Sequence, residues 1–241
     1  MKTSAVCCIR NRNNILMQTL HSWLQQTKPF DEIVLVQWGG KEQIQDIVND
    51  IDTRIPIAVY EVLDADRWIL THAYNLAISL SKYPAIYKLD ADYMLHPSFT
   101  TQYQIDYRPR FFAGNWRMYP SCNQNTRNIN GCVVINQQLF WNVGGYNEHI
   151  VDYGYDDNDL YERLQAAGYL RLNISYGLIQ HIPHDDTIRA CKHSNLRGQM
   201  IQQNQKIAHS QRWSKINQCS RWCVKHVSNN HYIVRKVING N

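Results

Sequence analysis

Residues 81–95 read Ser-Lys-Tyr-Pro-Ala-Ile-Tyr-Lys-Leu-Asp-Ala-Asp-Tyr-Met-Leu. Pro84 ends the helical pattern before it, and Ala85 to Leu89 are short, apolar and partly β-branched, which predicts a buried strand. The strand runs out into two carboxylates, Asp90 and Asp92, with only Ala91 between them. In an open α/β sheet, ligands bind in the crevice beyond the carboxyl ends of the strands. Two acids placed there can hold a divalent cation, which in turn can hold phosphates. A solvated turn with two aspartates would have the same sequence, so the neighbouring segments have to decide.

Upstream, Ser4–Ile9 predicts a first strand, followed by the polar turn Arg10-Asn11-Arg12-Asn13-Asn14. Leu16, Leu20, Trp23 and Leu24 recur at helical spacing, with Asn13 or Asn14 available as the cap. Strands at Glu32–Val36 and Ile55–Val62 then alternate with helices at Lys41–Asp50 and Thr71–Ser81, the latter with Thr71 as candidate cap. Strand and helix in strict alternation predict an α/β fold around a mostly parallel sheet. Downstream the rhythm changes. Strands are expected at Phe111–Trp116, Cys132–Ile135 and Tyr169–Tyr176. Short helices are expected from Gln137 to the Gly144-Gly145 stop and from Asp157 or Asn158 to Ala167. The last 55 residues are poorly patterned and read as partly helical around Leu196, Met200 and Ile207.

The 241 residues suffice for one large domain, and 44% hydrophobic with 19% charged residues is the balance of an ordinary globular chain. No apolar run approaches the roughly 20 residues of a membrane span, and the apolar start is too short for a signal peptide. Seven scattered cysteines do not form a disulfide framework, so reduced thiols in a cytoplasm are expected. The net charge of +5 hides an asymmetry. Ten of the 25 basic residues lie after Asp186, where no acid occurs, leaving 15 against 20 acidic residues before it. An acidic body suits a cation; a basic tail suits an anionic surface.

Two further stretches carry chemistry. Val151 to Leu164 contains Tyr153-Gly154-Tyr155 followed by Asp156, Asp157 and Asp159 where a loop becomes a helix. One acid in a first helical turn is ordinary dipole complementation. Three in four residues, behind a pliable aromatic loop, suggest that one is a general base for a hydroxyl. Gln180-His181-Ile182-Pro183-His184-Asp185-Asp186 follows a predicted strand, and imidazoles beside carboxylates can complete the coordination of a cation such as Mn²⁺. A structural role for either histidine is the plainer alternative.

In this order and spacing, the three stretches resemble glycosyltransferases of the GT-A type. The first half is similar to family 2 enzymes, and residues from about Asn130 to His184 are similar to a C-terminal galactosyltransferase-type module. At motif level the chain resembles the β-1,4-galactosyltransferases, through Ile9-Arg10-Asn11-Arg12, Asp90-Ala91-Asp92 and Tyr153-Gly154-Tyr155-Asp156-Asp157-Asn158-Asp159. Tyr155 stands where that pattern has glycine, and Asp156 where it has glutamate. The resemblance implies a Rossmann-like GT-A sheet flanked by helices, a single domain with a basic C-terminal extension. Residues 1–112 would bind the nucleotide sugar, 113–186 would bind the acceptor and carry the catalytic base, and 187–241 would form the extension.

The resemblance also assigns roles. Ile9, Arg10, Arg12, Trp68, Asp90, Ala91 and Asp92 would line the donor site, the arginines facing the diphosphate and Trp68 the base. Asp92, His184 and His181 would ligate Mn²⁺ or Mg²⁺. Trp116, Tyr153 and Asp156 would contact the acceptor, and Asp157 would be the catalytic base. The implied reaction is metal-dependent, inverting transfer from a nucleotide sugar, UDP-linked by family analogy, to a hydroxyl of a glycan or lipid-linked glycan in surface polysaccharide synthesis. Alternatives are a retaining transferase, a sugar nucleotidyltransferase, and a non-enzymatic glycan- or nucleic-acid-binding protein. Against the nucleotidyltransferase, the turn after the first strand has no glycine. No nucleic-acid partner is expected. The expected location is cytoplasmic with peripheral contact at the inner face of the membrane through the basic tail, a contact that flotation on anionic vesicles tests.

Overall fold

A computed structural model describes residues 1–115, 128–184, 196–211 and 222–237. Trp116, Asp185 and Asp186 lie outside the described residues. The first half alternates as expected: β1 (Thr3–Ile9), α1 (Asn13–Leu24), β2 (Glu32–Trp38), α2 (Ile44–Asn49), β3 (Ile57–Val62), α3 (Leu70–Leu80) and β4 (Ala85–Lys88). β2 and β4 flank β1, and β3 flanks β2, all in parallel register. Every residue of β1 and β2 is buried. Strands covered on both faces read as continuous apolar runs, as Ala5–Ile9 and Ile33–Val36 do.

Alternation then sorts the side chains into two layers. Ala5, Cys7, Ile9, Ile33, Leu35, Tyr87 and Leu89 enter one core with Leu16, Leu20 and Trp23 of α1. Val6, Cys8, Val34, Val36, Trp38 and Ile86 enter the other with Ala73, Tyr74 and Ala77 of α3. The helix caps differ from expectation. Asn13 is already inside α1, where Glu42 accepts the Asn13 amide at 3.0 Å and Asn14 Oδ1 the Ile15 amide at 2.9 Å, and Thr71 lies inside α3 with its hydroxyl donating to the Ile150 carbonyl.

The second half supplies β5 (Tyr93–Leu95), α4 (Phe99–Gln102), β6 (Arg110–Ala113), β7 (Val133–Asn136), α5 (Gln137–Asn142), α6 (Asp156–Ala166), β8 (Leu170–Asn173) and β9 (Ile179–His181). β7 joins β4 antiparallel, β6 joins β7 antiparallel and β8 joins β6 in parallel. β5 and β9 make a separate two-stranded antiparallel sheet that the sequence did not suggest.

Among the described residues, the C-terminal region holds the helix α7 (Arg197–Gln211) and an unforeseen hairpin, β10 (Trp222–Ser228) and β11 (His231–Lys236). β11 pairs in parallel with β3, completing the nine-stranded order β10-β11-β3-β2-β1-β4-β7-β6-β8. Tyr232 stacks on Tyr60 at 4.6 Å and Trp222 meets Trp38 edge-on at 5.2 Å. The hairpin turns at Asn229-Asn230, both at positive φ, as a two-residue hairpin loop requires. Among the described residues no helix is long and apolar enough to cross a membrane.

Candidate active site

Asp92 reaches its histidines through backbone pairing. After β4 the chain turns, with the Tyr93 amide donating to the Asp90 carbonyl. β5 then pairs with β9 so that Tyr93 lies opposite His181, and the Ile182 amide donates to the Asp92 carbonyl at 2.8 Å. His181 Nε2 and His184 Nε2 consequently lie 3.4 and 2.9 Å from Asp92 Oδ2, with Arg12 Nη1 at 3.6 Å from the same oxygen. The three candidate ligand atoms all fall within 4.8 Å of one another. Asp92 Oδ1 is buried with no hydrogen-bond partner among the described residues, a state that costs roughly 1–3 kcal/mol. One carboxylate with an unanswered oxygen and two imidazoles make a donor set that fits a Mn²⁺-type cation. Burial alone would raise the Asp92 pKa; hydrogen bonds from His181 and His184 overcome it and hold the carboxyl well below its usual range.

Lys88 organises the other half of the site, and the sequence reading missed it. By strand alternation it falls on the Ile86 face of β4, toward α3 and α6. Its side chain is fully buried, with Nζ 2.9 Å from Asp90 Oδ1 and 3.8 Å from Asp157 Oδ1. The ammonium sits 4.3 Å over the Tyr74 ring, and the Tyr74 hydroxyl lies 2.7 Å from Asp90 Oδ1. Tyr146 donates its hydroxyl to Asp157 Oδ1 at 2.9 Å. Gly131 packs so closely that a Cβ there would strike Asp90 and lie 3.0 Å from Lys88 Nζ. Burial works against the Lys88 charge, but Asp157 and Asp90 hold its pKa above that of an ordinary lysine. The signal was a lone lysine inside an apolar strand, one residue short of the acids.

The three acids at the start of α6 have different fates. Asp159 is fully buried and holds Arg163, four residues on, through two hydrogen bonds of 2.7 and 2.9 Å. It is a structural pair. Asp156 and Asp157 are not matched in that way. Burial, and then the Asp157 charge, push the Asp156 carboxyl up to about 7. Burial likewise raises Asp157, against the pull of Lys88. Tyr155, immediately before them, holds a left-handed φ of 69° that glycine would adopt without cost.

On the far side, Asn11 takes a left-handed φ of 53°, so Arg10 and Arg12 diverge. Arg12 turns to Asp92; the Arg10 guanidinium donates to the carbonyls of Trp38, Ala65 and Asp66. Arg10 therefore ties the ends of β2 and β3 together. Ile9 closes β1 as a buried core residue, and the buried Ala91 accepts the Thr19 hydroxyl at its carbonyl. Trp68 is half-buried against the second core. Tyr153 is 37% exposed at the lip of the α6 loop, with the Arg197 guanidinium 5.4 Å from its ring.

Comparison with known proteins agrees with this geometry. A family profile described as glycosyl transferase family 2 matches residues 4–148, and one described as the N-terminal domain of galactosyltransferase matches residues 117–185. Together they cover the stretch that holds all three motifs. No curated protein sequence matches. Among solved structures, a mannosyltransferase from Pyrobaculum calidifontis in complex with GDP-Man and Mn²⁺ superimposes with a TM-score of 0.62 at 15% identity; 77% of this chain is covered, but only 58% of the mannosyltransferase. A Drosophila β-1,4-galactosyltransferase 7 mutant in complex with manganese, UDP-Gal and xylobiose superimposes at 0.58 and 12% identity, covering 100% of this chain and 96% of the other. GalNAc-T7 with UDP, GalNAc and Mn²⁺ gives 0.62 at 14% identity, with 77% and 44% covered. With a family profile spanning more than half of it and a GT-A sheet beneath, the chain belongs to glycosyl transferase family 2.

Proposed function

We propose that this glycosyltransferase transfers a sugar from a nucleoside-diphosphate sugar, a UDP-sugar by analogy with the galactosyltransferase relatives, to a glycan hydroxyl with inversion at the anomeric carbon. One observation carries the reading. A buried carboxylate, Asp157, is tied through Lys88 and Asp90 to the strand end that bears the Asp92-His181-His184 cluster. Donor phosphate and acceptor hydroxyl would thus meet across one turn of chain. Asp92, His181 and His184 would hold Mn²⁺, which when bound neutralises charge on the diphosphate. Arg12, beside Asp92, can donate to the same phosphates.

Asp157 accepts the acceptor proton as that oxygen attacks; Tyr146 and Lys88 fix the carboxylate's rotamer and leave Oδ2 for the proton. Asp156 and Tyr153 are proposed acceptor contacts, the ring offering an apolar face to a pyranose.

Thermal unfolding with a panel of nucleotide sugars tests the donor half. At a hundredfold excess over Kd, a UDP-sugar with Mn²⁺ should stabilise by about 2.7 kcal/mol, or about 5–10 °C for a chain of this size. Asp92→Ala should lose that shift. An equal shift without metal, or one that survives Asp92→Ala, would remove the metal from the mechanism.

The acid limb of the rate profile tests the base. Transfer needs Asp157 ionised, so the rate falls as pH drops through the titration of the Asp156–Asp157 pair. Repulsion within the pair falls on Asp156, which burial and the Asp157 charge raise, whereas Asp157 is raised by burial and by Asp90; Asp156→Asn therefore removes the other titration and leaves that of Asp157. If Asp157 governs the acid limb of kcat/KM, the limb should stay in place in Asp156→Asn; a limb that moves to lower pH would mean that Asp156 governs it.

A further inference from the structure

The C-terminal helix α7 turns one face onto the loop that leads into the catalytic helix, and that face is not an apolar stripe. Arg197, Ile201, Asn204 and Ala208 lie along it at helical spacing. Asn204 is 1% exposed, and its Nδ2 lies 3.2, 3.2 and 2.7 Å from the carbonyls of Asp152, Tyr153 and Gly154. A single amide group therefore gathers three successive carbonyls. Gly154, at φ +88°, packs so that a Cβ would lie 2.7 Å from Ile201 Cγ1. Tyr155 is held at its left-handed φ while its hydroxyl donates to Glu162 at 2.8 Å and its ring meets His209 of α7 edge-on at 6.1 Å.

A non-glycine residue in the left-handed region persists only where its surroundings over-determine it. Tyr155 is the residue that caps α6, and its carbonyl accepts the Asp159 amide at 2.9 Å. Whatever sets Tyr155 sets the direction in which Asp156 and Asp157 leave the first turn. We infer that Asn204 is a positioning residue: through the 152–155 loop it holds Asp157, and the Tyr153 ring beside it, in the shape that receives the acceptor. The extension after Asp186 thereby forms part of the acceptor side of the enzyme. The inference rests on Asp157 being the base and Tyr153 an acceptor contact.

Asn204→Ala in the full chain tests it, because displacing a catalytic group by about 1 Å can cost on the order of 10²-fold in rate. Acceptor kcat/KM should fall about ten- to hundredfold. Mn²⁺-dependent UDP binding, read by thermal shift, should be unchanged, and amide hydrogen exchange across residues 152–158 should speed up. Ile201→Ala, at a position 37% exposed where folding is not at stake, should give the same acceptor-only loss in milder form. Gln203→Ala, on the exposed side of the helix, should change nothing. Unchanged acceptor kinetics in both Asn204→Ala and Ile201→Ala would overturn the inference, as would donor binding that falls in step with transfer. A wild-type chain without transfer, in which loop exchange still rises in Asn204→Ala, would instead sink the functional reading and leave the clamp standing.

Discussion

Asp157→Asn lowers transfer by about 10²–10⁴-fold, the range that a positioned general base contributes, and leaves Mn²⁺-dependent donor binding as it is in the wild type. The substitution is nearly isosteric. An asparagine carbonyl can still accept the Tyr146 hydroxyl that now sits 2.9 Å from Oδ1, so the start of α6 keeps its packing. What is lost is a group that can take a proton. Initial rates of nucleoside diphosphate release with saturating acceptor measure the first expectation, and thermal-shift titration with donor and Mn²⁺ measures the second. The anomeric configuration of the wild-type product, read by NMR, belongs to the same test. A single displacement assisted by one base inverts the centre, and a retained centre would exclude it. Asp157→Asn with undiminished transfer would remove the base assignment altogether.

How much of this was legible depends on burial. β1, β2 and β4 are covered on both faces, so their sequences are mostly apolar runs whose alternation with helices specified the parallel sheet. The β10–β11 hairpin was not legible because almost all of β10 and the end of β11 stay exposed and carry mixed polar residues. β5 and β9 are three residues each, too short for any periodicity to register, yet their pairing is what sets His181 opposite Tyr93. The Asp92-His181-His184 set was therefore predictable as residue types in order, but not as a geometry.

The arginines and aspartates show the same limit at finer scale. Arg10 and Arg12 are equivalent in sequence. The left-handed Asn11 between them sends one to backbone carbonyls and the other to Asp92. Asp156, Asp157 and Asp159 form one acidic cluster on paper. The structure pairs Asp159 with Arg163 at i+4 and buries that pair completely, a division of roles that the acidic cluster alone did not reveal. Asn204 illustrates the converse. Its face of α7 mixes Arg197 and Asn204 with Ile201 and Ala208, so no apolar periodicity singles out the residue that gathers the carbonyls of Asp152, Tyr153 and Gly154.

Lys88→Met is expected to damage both stability and chemistry, for one physical reason. The lysine is fully buried, and its charge is shared between Asp90 at 2.9 Å and Asp157 at 3.8 Å. Removing one member of a buried ion pair typically costs about 3–5 kcal/mol, because the other is left charged in a poor solvent. In a chain of this length, that lowers the unfolding temperature by on the order of 10 °C. The same loss acts on titration. Burial already raises Asp157, and Lys88 is the leading influence pulling it down. Without the ammonium its pKa rises further, a smaller fraction is ionised at neutral pH, and the acid limb of kcat/KM moves to higher pH, where Asp156→Asn leaves it in place. Mn²⁺-dependent donor binding through Asp92, His181 and His184 should weaken far less than transfer.

The double variant Lys88→Met/Asp157→Asn separates the ammonium's two debts to its neighbours. If Lys88 and Asp157 stabilise each other directly, the double variant recovers part of the stability lost by Lys88→Met alone. The coupling should then fall in the range of about 0.5–3 kcal/mol found for residues in one ionic network. Strictly additive losses, with no movement of the acid limb in Lys88→Met, would show that the lysine serves Asp90 alone and that the strand end and the catalytic base are not joined through it.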